Sequence, residues 1–187
     1  MTTNQLLTIS EPDLLGECRK GNEAAFRKLV AMHKKQVRRT AIGMLGETAE
    51  AEDVAQETFI RFFKSLNSFR EDAKTGTFLT RIAINLSLNE LKRRKRKNRW
   101  LTFIKKDGLE ISVEDISANP DKMETKELVQ KALKILAPEF RAVVVLRMLD
   151  GYSVKEAAEI LQLPEGTVAS RLARGQKKLK NILEKIL

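Results

Sequence analysis

The chain has 187 residues and carries 35 Lys and Arg against 25 Asp and Glu, a formal net charge of +10 at pH 7. That balance points to a polyanionic partner, and the length suits one domain or two small ones. A single cysteine, Cys18, and a single histidine, His33, exclude an internal disulfide and leave no material for a His/Cys metal cluster or a Ser-His-Asp triad. No catalytic residue, metal or cofactor is therefore expected. No apolar run approaches the roughly 18 residues of a membrane helix. The opening MTTNQLLTISEPD lacks the basic and apolar regions of a secretory signal. Neither membrane insertion nor export is expected, and a cytoplasmic location fits.

Apolar spacing predicts helices over about Asp13–Lys20, Glu23–Leu45, Ala49–Leu66 and Thr77–Lys97, with Gly21-Asn22 and Leu45-Gly46 as breaks. His33 falls at helical spacing between Leu29/Val30 and Val37, which suits a packed or flanking role. On the Ala49–Leu66 helix, Val54, Ala55, Phe59, Phe62, Phe63 and Leu66 share one arc and should face a core. Asp53, Gln56, Glu57 and Lys64 share the opposite arc, and Ile60 falls in its middle. An apolar centre with a polar rim has the layout of a small docking site, although a lone exposed Ile is ordinary.

The helix after it should bury Phe78, Leu79, Ile82 and Leu86 and expose Arg81, Asn85, Asn89, Lys92, Arg93 and Arg96. The polar loop Ser68–Gly76, which contains Phe69, precedes it. A basic helix beside a loop with an aromatic suits melted DNA, because cations hold phosphates and rings stack unpaired bases. A plain basic surface with an ordinary turn fits the same residues.

Charge then divides the chain. Lys92 to Lys106 holds nine basic residues and no acid, whereas Asp107 to Asp121 holds five acids and no base. The acidic stretch, with Gly108 and Pro120 and little periodicity, reads as a linker. Boundaries follow at residues 12–100 for a first domain, 101–121 for the linker and 122–187 for a second domain. Further helices are expected over Asp121–Leu136, Pro138–Leu149, Val154–Leu161 and Glu165–Ile186, the β-branched run Val143-Val144-Val145 notwithstanding. The fold class is all-α, in two small helical domains.

Ser153 and Glu156 form the S-x-x-E pattern of a capping box, just after the Asp150-Gly151 turn. Pro164 suits a first helical position. Beyond it Val168, Leu172, Leu179 and Leu183 form a stripe, while Ser170, Arg171, Arg174, Lys177 and Lys178 lie opposite. Short helix, tight turn and basic amphipathic helix make a helix-turn-helix whose second helix can enter a major groove. A solvated amphipathic helix on a bundle would show the same stripe.

Taken in order, these motifs resemble one known family. Gly21-Asn22-Glu23-Ala24-Ala25-Phe26, Ala51-Glu52-Asp53-Val54-Ala55-Gln56-Glu57-Thr58-Phe59 and Arg81-Ile82-Ala83-Ile84-Asn85-Leu86 in the first half resemble the extracytoplasmic-function group of bacterial sigma-70 factors. So do Phe140-Arg141, Val145-Leu146-Arg147 and Gly166-Thr167-Val168-Ala169-Ser170-Arg171-Leu172 in the second.

The resemblance implies a non-enzymatic initiation subunit that guides core RNA polymerase to promoters and helps open them. It implies polymerase docking, on the β′ clamp helices with further contact to the β subunit, through Asp53, Gln56, Glu57, Ile60 and Lys64. It implies −10 element contacts through Phe69, Arg81, Asn85, Asn89, Lys92, Arg93 and Arg96. It implies −35 contacts through Thr167, Ser170, Arg171, Arg174, Lys177 and Lys178, and an anti-sigma factor as a further partner. The acidic linker resembles the segment that threads the polymerase. At Thr75, Asn89 and Ala169 the chain departs from the family pattern, which bears on promoter preference. A stand-alone helix-turn-helix regulator is the alternative, but no dedicated dimerisation segment is evident. A nucleic-acid-modifying enzyme would need a metal cluster that Glu50, Glu52, Asp53 and Glu57 fit less well than a docking rim.

Overall fold

Side-chain caps set where three of the helices begin. In a computed structural model, which describes residues 10–69, 74–104 and 125–186, all regular structure is helical. The helices are α1 (Glu11–Arg19), α2 (Glu23–Leu45), α3 (Ala49–Ser65), α4 (Thr75–Ile104), α5 (Thr125–Ile135), α6 (Pro138–Val144), α7 (Val154–Leu161) and α8 (Glu165–Ile186). A π-helical turn, Val145–Leu149, continues α6. The Ser10 hydroxyl caps α1, and the Asn22 side chain accepts from the Ala24 and Ala25 amides to start α2. Gly21, at φ +83°, makes the turn between them. The Ser153–Glu156 capping box is formed at α7, with both reciprocal bonds present.

α4 runs past the expected end at Lys97 to Ile104. It thereby enters the first four residues of the expected 101–121 linker. The acidic stretch Asp107–Asp121 lies outside the described residues.

The first four helices enclose one core around Leu14, Leu29, Phe59, Phe62 and Leu79. Phe69 is part of it, 6% exposed, with its ring centroid 5.6 Å from that of Phe62 and 4.9 Å from that of Phe78. Arg19 clamps the end of α3 from outside, donating to the Leu66 and Phe69 carbonyls at 3.1 and 2.7 Å. A second core joins α5, α6 and α8 through Leu133, Val144 and Leu179.

A third core belongs to both halves of the chain. Ala41, Ile42, Met44 and Leu45 of α2 and Ile84 of α4 pack with Val143, Val145 and Leu146, and with Ala157 and Ile160 of α7. Every residue from Thr40 to Gly46 is buried. Gly43 permits the approach, since a Cβ there would lie 2.9 and 3.0 Å from the two Val145 methyls. The π turn is closed by the Asp150 amide donating to the Val145 carbonyl at 2.9 Å. It lies within a run, Val143 to Leu146, in which four consecutive side chains are buried against two different cores.

Polar groups line this shared interface. Arg39 Nε and Thr40 Oγ1 donate to the two oxygens of Asp150, at 2.8 and 2.7 Å. The Asp150 side chain is wholly buried; burial pushes its carboxyl up, and the bonds from Arg39 and Thr40 oppose that. The Arg141 guanidinium, 5% exposed, donates to the carbonyls of Met44 (2.6 Å), Lys134 (2.5 Å) and Leu136 (2.9 Å). It thereby satisfies the C-terminal ends of α2 and α5, whose last carbonyls have no intrahelical partner. Desolvation, with the neighbouring Arg94 charge, pushes its pKa down to about 10, so it stays charged at neutral pH. Arg141→Met keeps the stem and strips these donors. The expected loss is about 2–4 kcal/mol, read as a lower urea midpoint at unchanged slope.

Candidate polymerase and DNA interfaces

α3 presents its outer stripe as the wheel predicts. Asp53, Gln56, Ile60 and Lys64 are exposed, Ile60 by 48%, and Glu57 is half-buried beside Arg61 at 2.8 Å. Phe63 departs from expectation. It is 53% exposed rather than in the core, with its ring edge-to-face on Phe26 at 5.0 Å between centroids. The inward side of α3 is already filled by Val54, Ala55, Thr58, Phe59 and Phe62. Phe63 stands three residues from Ile60, so helical geometry sets it beside the exposed stripe. The stripe is therefore more apolar than the sequence suggested.

α4 lies against α3 and carries the basic set. Asn85, Asn89, Lys92, Arg93 and Arg96 are exposed, and Arg81 is half-buried. Phe69 again differs from the reading as a DNA contact: its ring points into the core. The reason is local, because the Phe62 and Phe78 rings surround it. Arg93 donates twice to Glu90, at 2.7 and 3.0 Å, and that pairing holds the Glu90 carboxyl below its usual range. Arg94 reaches Glu90 at 3.2 Å and Glu50 at 3.1 Å, pinning the start of α3 to α4. A cleft of about 370 Å³ between the two helices brings Asp53 and Glu57 together with Asn89, Arg93 and Arg96. Residues that the sequence placed in two separate faces thus share one edge.

In the other half α8 buries Val168, Gly175 and Leu179. Pro164 sits one place earlier than expected, outside α8, where its carbonyl accepts from the Thr167 and Val168 amides at 2.9 and 3.1 Å. Ser170, Arg174, Lys177 and Lys178 are exposed, and Thr167 and Arg171 are half-buried. Ser170 donates to the Thr167 carbonyl at 3.0 Å. Lys178 stands 5.5 Å over the Phe140 ring, a cation–π contact. Among the described residues Arg174 has no ion pair, so its guanidinium is available to an external acceptor. His33 is half-buried, 3.1 Å from Glu11, in the flanking role expected of it. Among the described residues no acidic or His/Cys cluster could hold a metal ion, and no helix is long and apolar enough to cross a membrane.

Sequence reasoning missed Arg141, Asp150 and Tyr152, which hold the two halves together. Tyr152 places its hydroxyl among Gln36, Thr80 (2.8 Å) and the Gly76 carbonyl (3.3 Å), and Gln36 donates to it. One signal was present: Thr40-Ala41-Ile42-Gly43-Met44-Leu45 has no charged residue, so this piece of α2 must be covered on every side.

Comparison with known proteins agrees with this geometry. Residues 29–97 match the family model for sigma-70 region 2, and residues 126–179 that for sigma-70 region 4. The chain is 33% identical over 175 residues to the ECF RNA polymerase sigma factor SigW of Bacillus subtilis, covering 89% of this chain and 93% of that one. Its fold is similar to the sigma factor RpoE of Bartonella quintana, solved with the anti-sigma factor NepR (TM-score 0.67, 25% identity, 85% of this chain and 96% of that). It is also similar to CnrH, solved with the cytosolic domain of CnrY (TM-score 0.66, 25% identity, 91% and 95%). The chain belongs to the sigma-70 family of RNA polymerase sigma factors, in its extracytoplasmic-function group. It is a transcription initiation factor.

Two tests follow from the second half. On duplexes that the wild-type chain selects from a random pool, Arg174→Ala should weaken binding by about 1–3 kcal/mol, and chiefly at one base position. Uniform loss on every sequence would make Arg174 a phosphate contact. The Glu156 carboxyl is held below its ordinary 4.5 by the Ser153 amide. The sign is that of a depressed acid: its stabilisation is present above the unfolded value and lost as pH falls through the folded one. Glu156→Gln should therefore lower the denaturation midpoint at neutral pH and leave it unchanged near pH 3.

Proposed function

We propose that residues 12–100 bind core RNA polymerase and engage the −10 element, that residues 122–187 read the −35 element, and that residues 101–121 link them through the polymerase. The observation that carries this reading is the α3 stripe, where exposed Ile60 stands among Asp53, Gln56, Glu57 and Lys64. An apolar centre with a charged rim fits a helical partner such as the β′ clamp helices, with β contacting other parts of the chain. Asn85, Asn89, Lys92, Arg93, Arg96 and Arg81 supply −10 contacts from the adjoining face of α4. Phe69 serves as a core residue behind them. On α8, Thr167, Ser170, Arg171, Arg174, Lys177 and Lys178 supply −35 contacts, with phosphates providing much of the affinity and its salt dependence.

This is a binding subunit and not an enzyme, and it acts in the cytoplasm with the polymerase. An anti-sigma factor is its further partner; the similar RpoE was solved with the anti-sigma factor NepR bound. The test is co-elution of the full chain with bacterial core RNA polymerase on gel filtration at moderate salt. Wild type should co-elute stoichiometrically. Ile60→Asp, which puts a charge at the apolar centre, should be lost from the complex with its helix content intact. Unchanged co-elution of the variant would remove α3 from the docking assignment.

A further inference from the structure

We infer that Gln162, in the turn between α7 and α8, is a further DNA contact, whose side-chain amide holds a backbone phosphate at the edge of the groove that α8 enters. The inference rests on the proposed −35 reading by α8 and deepens it.

The first observation is a backbone conformation that does not suit its residue. Gln162 ends α7 at φ 53° and ψ 47°, in the left-handed region. Among the described residues the other positions of positive φ are Gly21, Gly46 and Gly151. Glycine enters that region freely, whereas any side chain brings its Cβ against the following carbonyl. Asn and Asp, whose short polar side chains bond locally, are the usual exceptions, and Gln is not among them. The turn itself demands the conformation. The Gln162 and Leu163 amides both donate to the Ala158 carbonyl, Leu163 at 3.0 Å, and this closure swings Leu163 back onto the shared core. Local stability at position 162 therefore favours glycine.

Nothing inside the protein uses the side chain that stands there. Gln162 is exposed, and among the described residues its amide has no hydrogen-bond partner. A strained backbone that serves no internal contact points outward, to a ligand. Position names that ligand. In a helix-turn-helix the second helix enters the major groove and the first crosses the backbone, so the turn between them lies at the groove edge, over phosphates. The charges of the turn narrow the choice of donor. Lys155 and Arg171 bound a stretch with no cation between them and with three acids, Glu156, Glu159 and Glu165. A phosphate at this edge meets no ammonium or guanidinium from the turn, so a neutral donor has to hold it against nearby carboxylates. The Ser170 hydroxyl is committed to the Thr167 carbonyl at 3.0 Å, whereas both amide hydrogens of Gln162 are free. Phosphate contacts position and do not specify, so Gln162 sets the register of α8 on the duplex without choosing bases.

Two variants of the full chain separate the amide from the strain. Each is titrated, at several salt concentrations, onto a duplex that the wild-type chain selects from a random pool, and each is unfolded in urea. Gln162→Met keeps the length and the left-handed strain but strips the amide. It should leave the urea midpoint unchanged and weaken binding by about threefold to tenfold, by the same factor on every base variant of the duplex. The lost donor is neutral, so the slope of log K against log salt should stay that of wild type. Gln162→Gly removes the strain as well as the amide. It should raise the urea midpoint and weaken binding to the same extent.

A purely structural role would move the midpoint and leave the affinity untouched. Wild-type affinity in either variant would overturn the inference. So would a loss confined to one base pair, which would make Gln162 a base contact and not a phosphate contact. Arg174→Ala in the same titration tells the two possible failures apart. If it weakens binding and the Gln162 variants do not, the contact is refuted and the reading by α8 stands. If none of the three weakens binding, the reading by α8 fails and takes this contact with it.

Discussion

From Thr40 to Leu45, α2 has no side that it can turn to water. A helical stretch that is apolar all round has to be enclosed, and each large side chain so buried contributes about 1.5–3 kcal/mol. α3 and α4 cover part of it, and the segment from Val143 to Leu146 covers the rest. The arrangement of the whole chain follows from this one requirement. It brings the C-terminal end of α2 next to the end of α5, and a single guanidinium, Arg141, then serves the carbonyls of both. The same closeness explains why position 43 has no side chain. It also explains why a wholly buried carboxylate, Asp150, is accepted beside Arg39 and Thr40.

The binding faces sit on the outsides of helices whose insides are fixed by packing. α3 and α4 are cross-tied by Arg94 to Glu50 and Glu90. That tie sets the acidic stripe of one helix beside the basic stripe of the other, along a shared cleft. A polymerase surface docked on Ile60 would therefore have DNA-facing cations at its edge. Under the proposed assignment, the pairing would hold protein docking and strand contact on adjoining faces of two cross-tied helices.

Much of this was legible in the sequence. α2, α7 and α8 begin and end where caps and periodicity predict, because Asn22, Gly46, Ser153 and Glu156 are strong local signals. Ile60 was legible because a single helical wheel suffices to place it outside. Phe63 was not, since the wheel assigns it to the edge of an apolar arc and only the neighbouring helix decides which side it takes. Phe69 reads as a loop aromatic in one dimension and becomes a core ring only once Phe62 and Phe78 close around it. Arg141, Asp150 and Tyr152 are polar residues that long-range bonds bring inside, and no spacing rule registers a partner about a hundred residues away. The family resemblance supplied roles for surfaces, and it was silent on how the two halves meet.

Gly175 lies midway along α8, on the side facing α6, where a methyl group would come within 2.9 Å of a Val144 methyl. The missing side chain thus fixes how deeply α8, the helix proposed to read DNA, settles on its support. Any heavier residue there, or a bulkier one at position 144, would tilt α8 as a lever about that point. Its guanidinium and ammonium groups would then meet the groove at a new angle, with every one of them unchanged. Promoter choice in such a protein can therefore drift through its interior, at positions that never touch a base.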